Sequence, residues 1–135
     1  MRKHSELLPF FLTESIELLD IFDESLLTLE KNPANLELIH SIFRVVHGIR
    51  GMSLFLHMNT LEKLLMAGEE LIGDFRSGAV TFDLSLTDLL LRFSKASRAV
   101  LVSMQSNGTE GPEQYSELIN SLYAAHRATF GETSN

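Results

Sequence analysis

NLELIHSIFRVVHGIRGMSLFL, residues 35–56, is the stretch that decides how this chain reads. Ile39, Ile42, Phe43, Val46, Ile49 and Leu56 recur at helical spacing, with Ser53 in the same register, so the segment predicts one amphipathic helix. Inside it runs Phe43-Arg44-Val45-Val46-His47-Gly48-Ile49-Arg50-Gly51. Glycine in a helix interior costs about 0.8–1 kcal/mol relative to alanine. Gly48 and Gly51 beside a histidine therefore imply that something must approach the helix surface closely there.

The same periodicity extends outward in both directions, and strand-like alternation is absent. A first helix is predicted from about Ser5 to Glu30, with Leu12, Ile16, Leu19, Phe22 (or Ile21), Leu26 and Leu29 inward, ended by Asn32-Pro33. A third starts at Asn59, read as an N-cap with Glu62 at capping-box spacing. It carries Leu61, Leu64, Leu65, Gly68, Leu71, Ile72 and Phe75 and stops near Ser77-Gly78. Val80-Thr81-Phe82-Asp83 is a short connection to a fourth helix, which reaches about Ser106. Asn107 to Pro112 is the clearest break, and a fifth helix follows over about 112–130. Short loops between long amphipathic helices predict an all-α, antiparallel up-down four-helix bundle (about 5–106) with an additional C-terminal fifth helix. One domain over 1–131 is expected, with 132–135 a disordered tail.

Composition narrows the function classes. The net charge of -7 argues against a nucleic-acid binder, which needs a basic footprint. The absence of cysteine excludes disulfides, thiolate zinc sites and cysteine nucleophiles. Met1 to Leu12 has the basic start and apolar run of a secretion signal, but Glu6 and Pro9 interrupt it and no cleavage site follows. No apolar stretch approaches the ~20 residues that span a bilayer. No membrane insertion and a cytoplasmic location are expected.

The second and third helices are joined by only a few residues, so they must be antiparallel neighbours. At roughly 100° per residue, His47 falls on the flank of the core face, with Gly51 and Arg50 one turn along. Arg44 points away from the core. Glu69 falls on the flank of the third helix, while its neighbour Glu70 falls further round, in solvent. A His47–Glu69 pair follows. A carboxylate accepting from Nδ1–H would fix the tautomer and leave Nε2 with its lone pair, a nucleophile. Arg50 could steady an anion there, most naturally a phosphoryl group. A His40–His47–Glu69 metal site is disfavoured, because residues seven apart lie about 10 Å apart along a helix. No metal is expected. His4, His57 and His126, near helix ends, read as solvated.

The run Phe43-Arg44-x-x-His47-x-Ile49-Arg50-Gly51 resembles the signature of histidine phosphotransfer (HPt) domains, Phe-Arg-x-x-His-x-Ile/Leu-Lys-Gly. Glu69, 22 residues after His47, and the five-helix layout are similar to the N-terminal phosphotransfer domain of CheA-type chemotaxis histidine kinases. The resemblance implies a phosphorelay role in two-component signalling. His47 would accept a phosphoryl group from the ATP-binding domain of a histidine kinase and pass it to an aspartate of a response-regulator receiver domain. Glu69 would orient His47, and Arg50 would stabilise phosphoryl charge where the family usually has lysine. Gly48, Gly51 and Arg44 would form the partner-docking surface. The domain would be no enzyme by itself and would bind no cofactor. It lacks a glycine-rich nucleotide loop, so ATP and Mg would be used by the partner kinase domain. Met52, Leu54, Phe55 and Leu56 depart from the small residues usual after the glycine. They support an alternative: a degenerate HPt-like bundle that only docks proteins.

Overall fold

The computed structural model describes residues 4–79 and 82–133. Val80 and Thr81 of the expected connection between the third and fourth helices lie outside the described residues. The elements are α1 (His4–Lys31), α2 (Leu36–Phe55), α3 (Asn59–Arg76), α4 (Leu84–Asn107) and α5 (Ser116–Thr133). No strand occurs among the described residues. The all-α expectation holds, and the apolar stripe of each helix is covered by other helices.

Packing closes a ring in which α1 meets α2 and α4, and α3 meets α2 and α4. Short connections make successive helices antiparallel. α5 lies against α3 and, less extensively, α4. The expected stripes are buried: Leu12, Leu19, Phe22, Leu26 and Leu29 on α1, and Ile39, Ile42, Val46 and Ile49 on α2. Ile16 on α1, and Phe43 and Leu56 on α2, are only half-buried at the edges of their stripes, and it is Phe22 rather than Ile21 that turns inward. At the centre Phe22 meets the edge of Phe93, with ring centroids 5.8 Å apart. A Cβ on buried Gly68 would overlap the Phe93 ring, so this glycine is required by close approach.

Helix ends show where local signals suffice. Asn35 caps α2, its side chain accepting from the Leu38 N–H at 3.2 Å. Asp83 caps α4, accepting from the N–H groups of Ser85 (2.9 Å) and Leu86 (3.2 Å). The Ser85 hydroxyl also donates to Asp83 at 2.6 Å, and it first, then the two backbone bonds, holds the Asp83 carboxyl below its ordinary range against burial. Gly108 ends α4 in the left-handed region, as a C-terminal glycine does.

α3 corrects the expectation. Asn59 is not its cap: the N-cap is Met58, and no side chain of that residue serves. Its orphan donors are met from far along the chain. Glu110 accepts from the backbone N–H of Thr60 (3.2 Å) and Leu61 (2.8 Å). A carboxylate there also favours the positive end of the helix dipole. α5 begins at Ser116, later than expected, because Gly111 and Tyr115 take left-handed φ values that no helix accommodates. It runs through Thr133, so residues 132 and 133 of the expected disordered tail are helical. Ser134 and Asn135 lie outside the described residues.

Candidate phosphotransfer site

The site forms where the flanks of α2 and α3 meet. Glu69 is 8% exposed. A carboxylate so buried needs donors, and α2 supplies two. The Nδ1–H of His47 donates to Oε1, and Nη1 of Arg50 donates to Oε2. Arg50 also donates from Nε to Glu62 Oε1 at 3.4 Å. The Glu69 hydrogen bond foremost, with help from Glu62, raises the Arg50 pKa above its ordinary value, against the opposing effect of burial.

Glu69 thus orients a ring that otherwise faces solvent: the His47 side chain is 68% exposed. A carboxylate on Nδ1 favours the tautomer with its proton there. Nε2 then carries the lone pair, with no hydrogen-bond partner among the described residues. Phe43, one turn before His47, stacks on the imidazole at 5.9 Å between centroids and 10° between planes. Arg76 of α3 covers the Phe43 ring at 3.8 Å. The imidazole is therefore steered by a bond at one nitrogen and by a stacked face, with its reactive edge outward.

The surface beside it is open. Gly48 and Gly51 are exposed, and a Cβ added at either would meet nothing within 4 Å. Gly48 borders a groove of about 420 Å³ between α1 and α2, also lined by Phe10, Glu14 and Met52. Arg44 is exposed on the outer side. Beyond Gly51, Leu54 and Phe55 are 61% and 58% exposed.

His47, Glu69 and Arg50 come together as expected from the sequence. Three neighbours were not expected there. Glu62 turns to Arg50 instead of closing a capping box. Phe43 stacks on His47 rather than filling the core, and Arg76 covers it. Their signals were spacings: Phe43 is four residues before His47, and Glu62 seven before Glu69, on the same faces. Among the described residues no group of three or more His, Asp or Glu could hold a metal ion.

His126 needs correction. The Nδ1–H of His126 donates to Asp74 at 2.8 Å, and its Nε2 lies 3.6 Å from Glu70 Oε2. His126 is mid-helix, not at a solvated end, because α5 continues to Thr133. Glu70 is exposed, as expected, and its outer side borders α5 through His126. Tyr123 of α5 is held above its ordinary pKa by burial first, then by the charges of Glu70 and Glu62.

The family model for the Hpt domain matches residues 6–101. The chain is 33% identical over 105 residues to the sensor histidine kinase CheAY of Helicobacter pylori, covering 78% of this chain and 13% of that protein. The CheA phosphotransferase domain from Thermotoga maritima superposes with a TM-score of 0.72 at 28% identity, over 78% of this chain and all of that one. The phosphorylated P1 domain of CheA3 in complex with CheY6 from R. sphaeroides superposes with a TM-score of 0.83 at 26% identity, over 92% of this chain and 98% of that one. The chain spans only a small part of the curated CheA-type relatives it matches, 13% and 15% of the first two. With the family model matching most of the chain and a relative 33% identical over 78% of it, the chain belongs to the Hpt (histidine phosphotransfer) domain family.

Proposed function

We propose that this domain carries a phosphoryl group on Nε2 of His47, between the ATP-binding domain of a CheA-type histidine kinase and an aspartate of a response-regulator receiver domain. The observation that carries the reading is the Nδ1–Glu69 bond on a ring whose other nitrogen is exposed. In the accepting step the Nε2 lone pair forms the N–P bond as the bond from the γ-phosphorus to the bridging oxygen breaks. That electron pair leaves on ADP. The ring keeps its Nδ1 proton and becomes cationic, and Glu69 stabilises that charge. In the donating step a carboxylate oxygen of the receiver forms the O–P bond, the N–P bond breaks, and its electron pair returns to Nε2.

Arg50 sits one turn from His47 and adds positive charge for the phosphoryl oxygens while holding Glu69. Gly48, Gly51 and Arg44 form the face on which kinase and receiver domains dock. The domain binds no cofactor of its own; ATP and Mg are used by the kinase domain. No helix among the described residues is long and apolar enough to cross a membrane, and we place the domain's work in the cytoplasm. Exposed Leu54 and Phe55 favour a second reading, a bundle that docks partners without carrying phosphate. The intact His47–Glu69 pair weighs against it.

The test is incubation with a CheA-type kinase core and radiolabelled ATP, with phosphorylated receiver domains as a second donor. Acid-labile, alkali-stable label is expected on the parent and absent from His47→Gln. Label on that variant, or none on the parent from either donor, refutes the assignment.

A further inference from the structure

Arginine at position 50 does something that lysine could not. Its guanidinium presents several donors in a fixed fork, whereas an ammonium is a compact point charge. Here the fork spans two carboxylates, with Nη1 on Glu69 and Nε on Glu62 at 3.4 Å. Glu62 and Glu69 are two turns apart on α3, about 10.5 Å along the axis. The Glu62 side chain is 16% exposed and that of Arg50 30%, so the contact is partly shielded from water.

Glu69 and Arg50 alone would sum to zero beside His47. With Glu62 attached, the cluster is net negative, and Arg50 is not drawn wholly to Glu69. A net-negative neighbour favours the cationic imidazole that forms when Nε2 takes phosphorus. Building on the phosphotransfer reading above, we propose that Glu62 is a positioning residue for that reaction. It acts through the fork of Arg50 to keep Glu69 available as an acceptor for His47.

Other charged groups nearby are Arg44, three residues before His47 on α2, Arg76 on α3, which lies over the Phe43 ring, and Glu14 on α1, which lines the groove beside Gly48. Tyr123 on α5 lies near enough to Glu62 to feel its charge. None of them bridges Arg50 to Glu69 by a hydrogen bond.

The experiment is an NMR titration of the His47 ring in the unphosphorylated domain, for the parent, Glu62→Gln, Arg50→Lys and the double variant. Dispersed spectra verify folding in the same samples. Glu62→Gln is expected to lower the His47 midpoint by about half a pH unit, roughly threefold in the proton equilibrium. It should slow label uptake by a similar factor. In the Arg50→Lys background, Glu62→Gln should move the midpoint by much less, because the fork that transmits it is gone. An unmoved midpoint in the Arg50 chain, or equal shifts in both backgrounds, overturns the proposal. The midpoint needs no kinase, so it fails or succeeds separately from the phosphotransfer assay.

Discussion

Replacing Gly48 and Gly51 by alanine should make the domain more stable and worse at its task. Both positions are exposed and helical, and an added Cβ meets nothing within 4 Å. The methyl groups therefore bring no clash, only the helix propensity that glycine forfeits, about 0.8–1 kcal/mol each. The double variant should gain roughly 1.5–2 kcal/mol. With an unfolding entropy of about 2.1 cal/mol/K per residue, that is a rise in Tm of about 6 °C for this length. The same methyls stand beside His47 and narrow the approach of a donor or acceptor domain. Near-attack geometry tolerates little displacement, and a misplacement of about 1 Å can cost roughly 100-fold in rate. Label uptake from a kinase core should fall by about tenfold or more. Thermal melts and uptake rates on the same protein preparations check both halves. Gly68→Ala is the control of opposite sign. Its Cβ would overlap Phe93, and overpacking of this kind costs about 1–3 kcal/mol. If Gly48→Ala/Gly51→Ala fails to stabilise, the glycines serve the fold. If it stabilises without slowing transfer, they do not serve partner access.

Glu69→Gln should slow phosphoryl acceptance at His47 without abolishing it, since the nucleophile remains and only its orienting charge is lost; an unchanged uptake rate would dismiss that role. His126→Ala should leave the buried Asp74 carboxylate without its 2.8 Å donor. A cost of about 1–3 kcal/mol and faster hydrogen exchange in α5 are expected, and protection equal to the parent's would count against a latch between α5 and α3. Glu110→Ala should remove the cap of α3, where Thr60 and Leu61 are buried. The loss of about 1–2 kcal/mol should appear in a denaturant melt, and a stability within a few tenths of the parent's would show that another group takes over.

The sequence alone settled whatever depends on neighbours along one helix. The apolar stripes of α1 to α3 were legible because a 3.6-residue period is local. The helix boundaries near Asn35, Asp83 and Gly108 fall close to the expected breaks because the groups that end those helices bond within one turn of themselves. The meeting of His47 and Glu69 was legible for a related reason. So few residues join α2 to α3 that their antiparallel pairing is forced, and the register then matches the two flanks. Tertiary structure decided what depends on helix rotation and on contacts across long loops. Asn59 and Glu62 satisfy the capping-box pattern, yet Glu110 caps α3 from about fifty residues away. Glu62, so released, joins Arg50. His126 finds Asp74 only because the turn through Gly111 and Tyr115 lays α5 on α3. A side chain's local pattern states which bonds it could make. Which one it makes is set by the donors that packing brings near a carboxylate once water has been removed, and no spacing within a single helix encodes that.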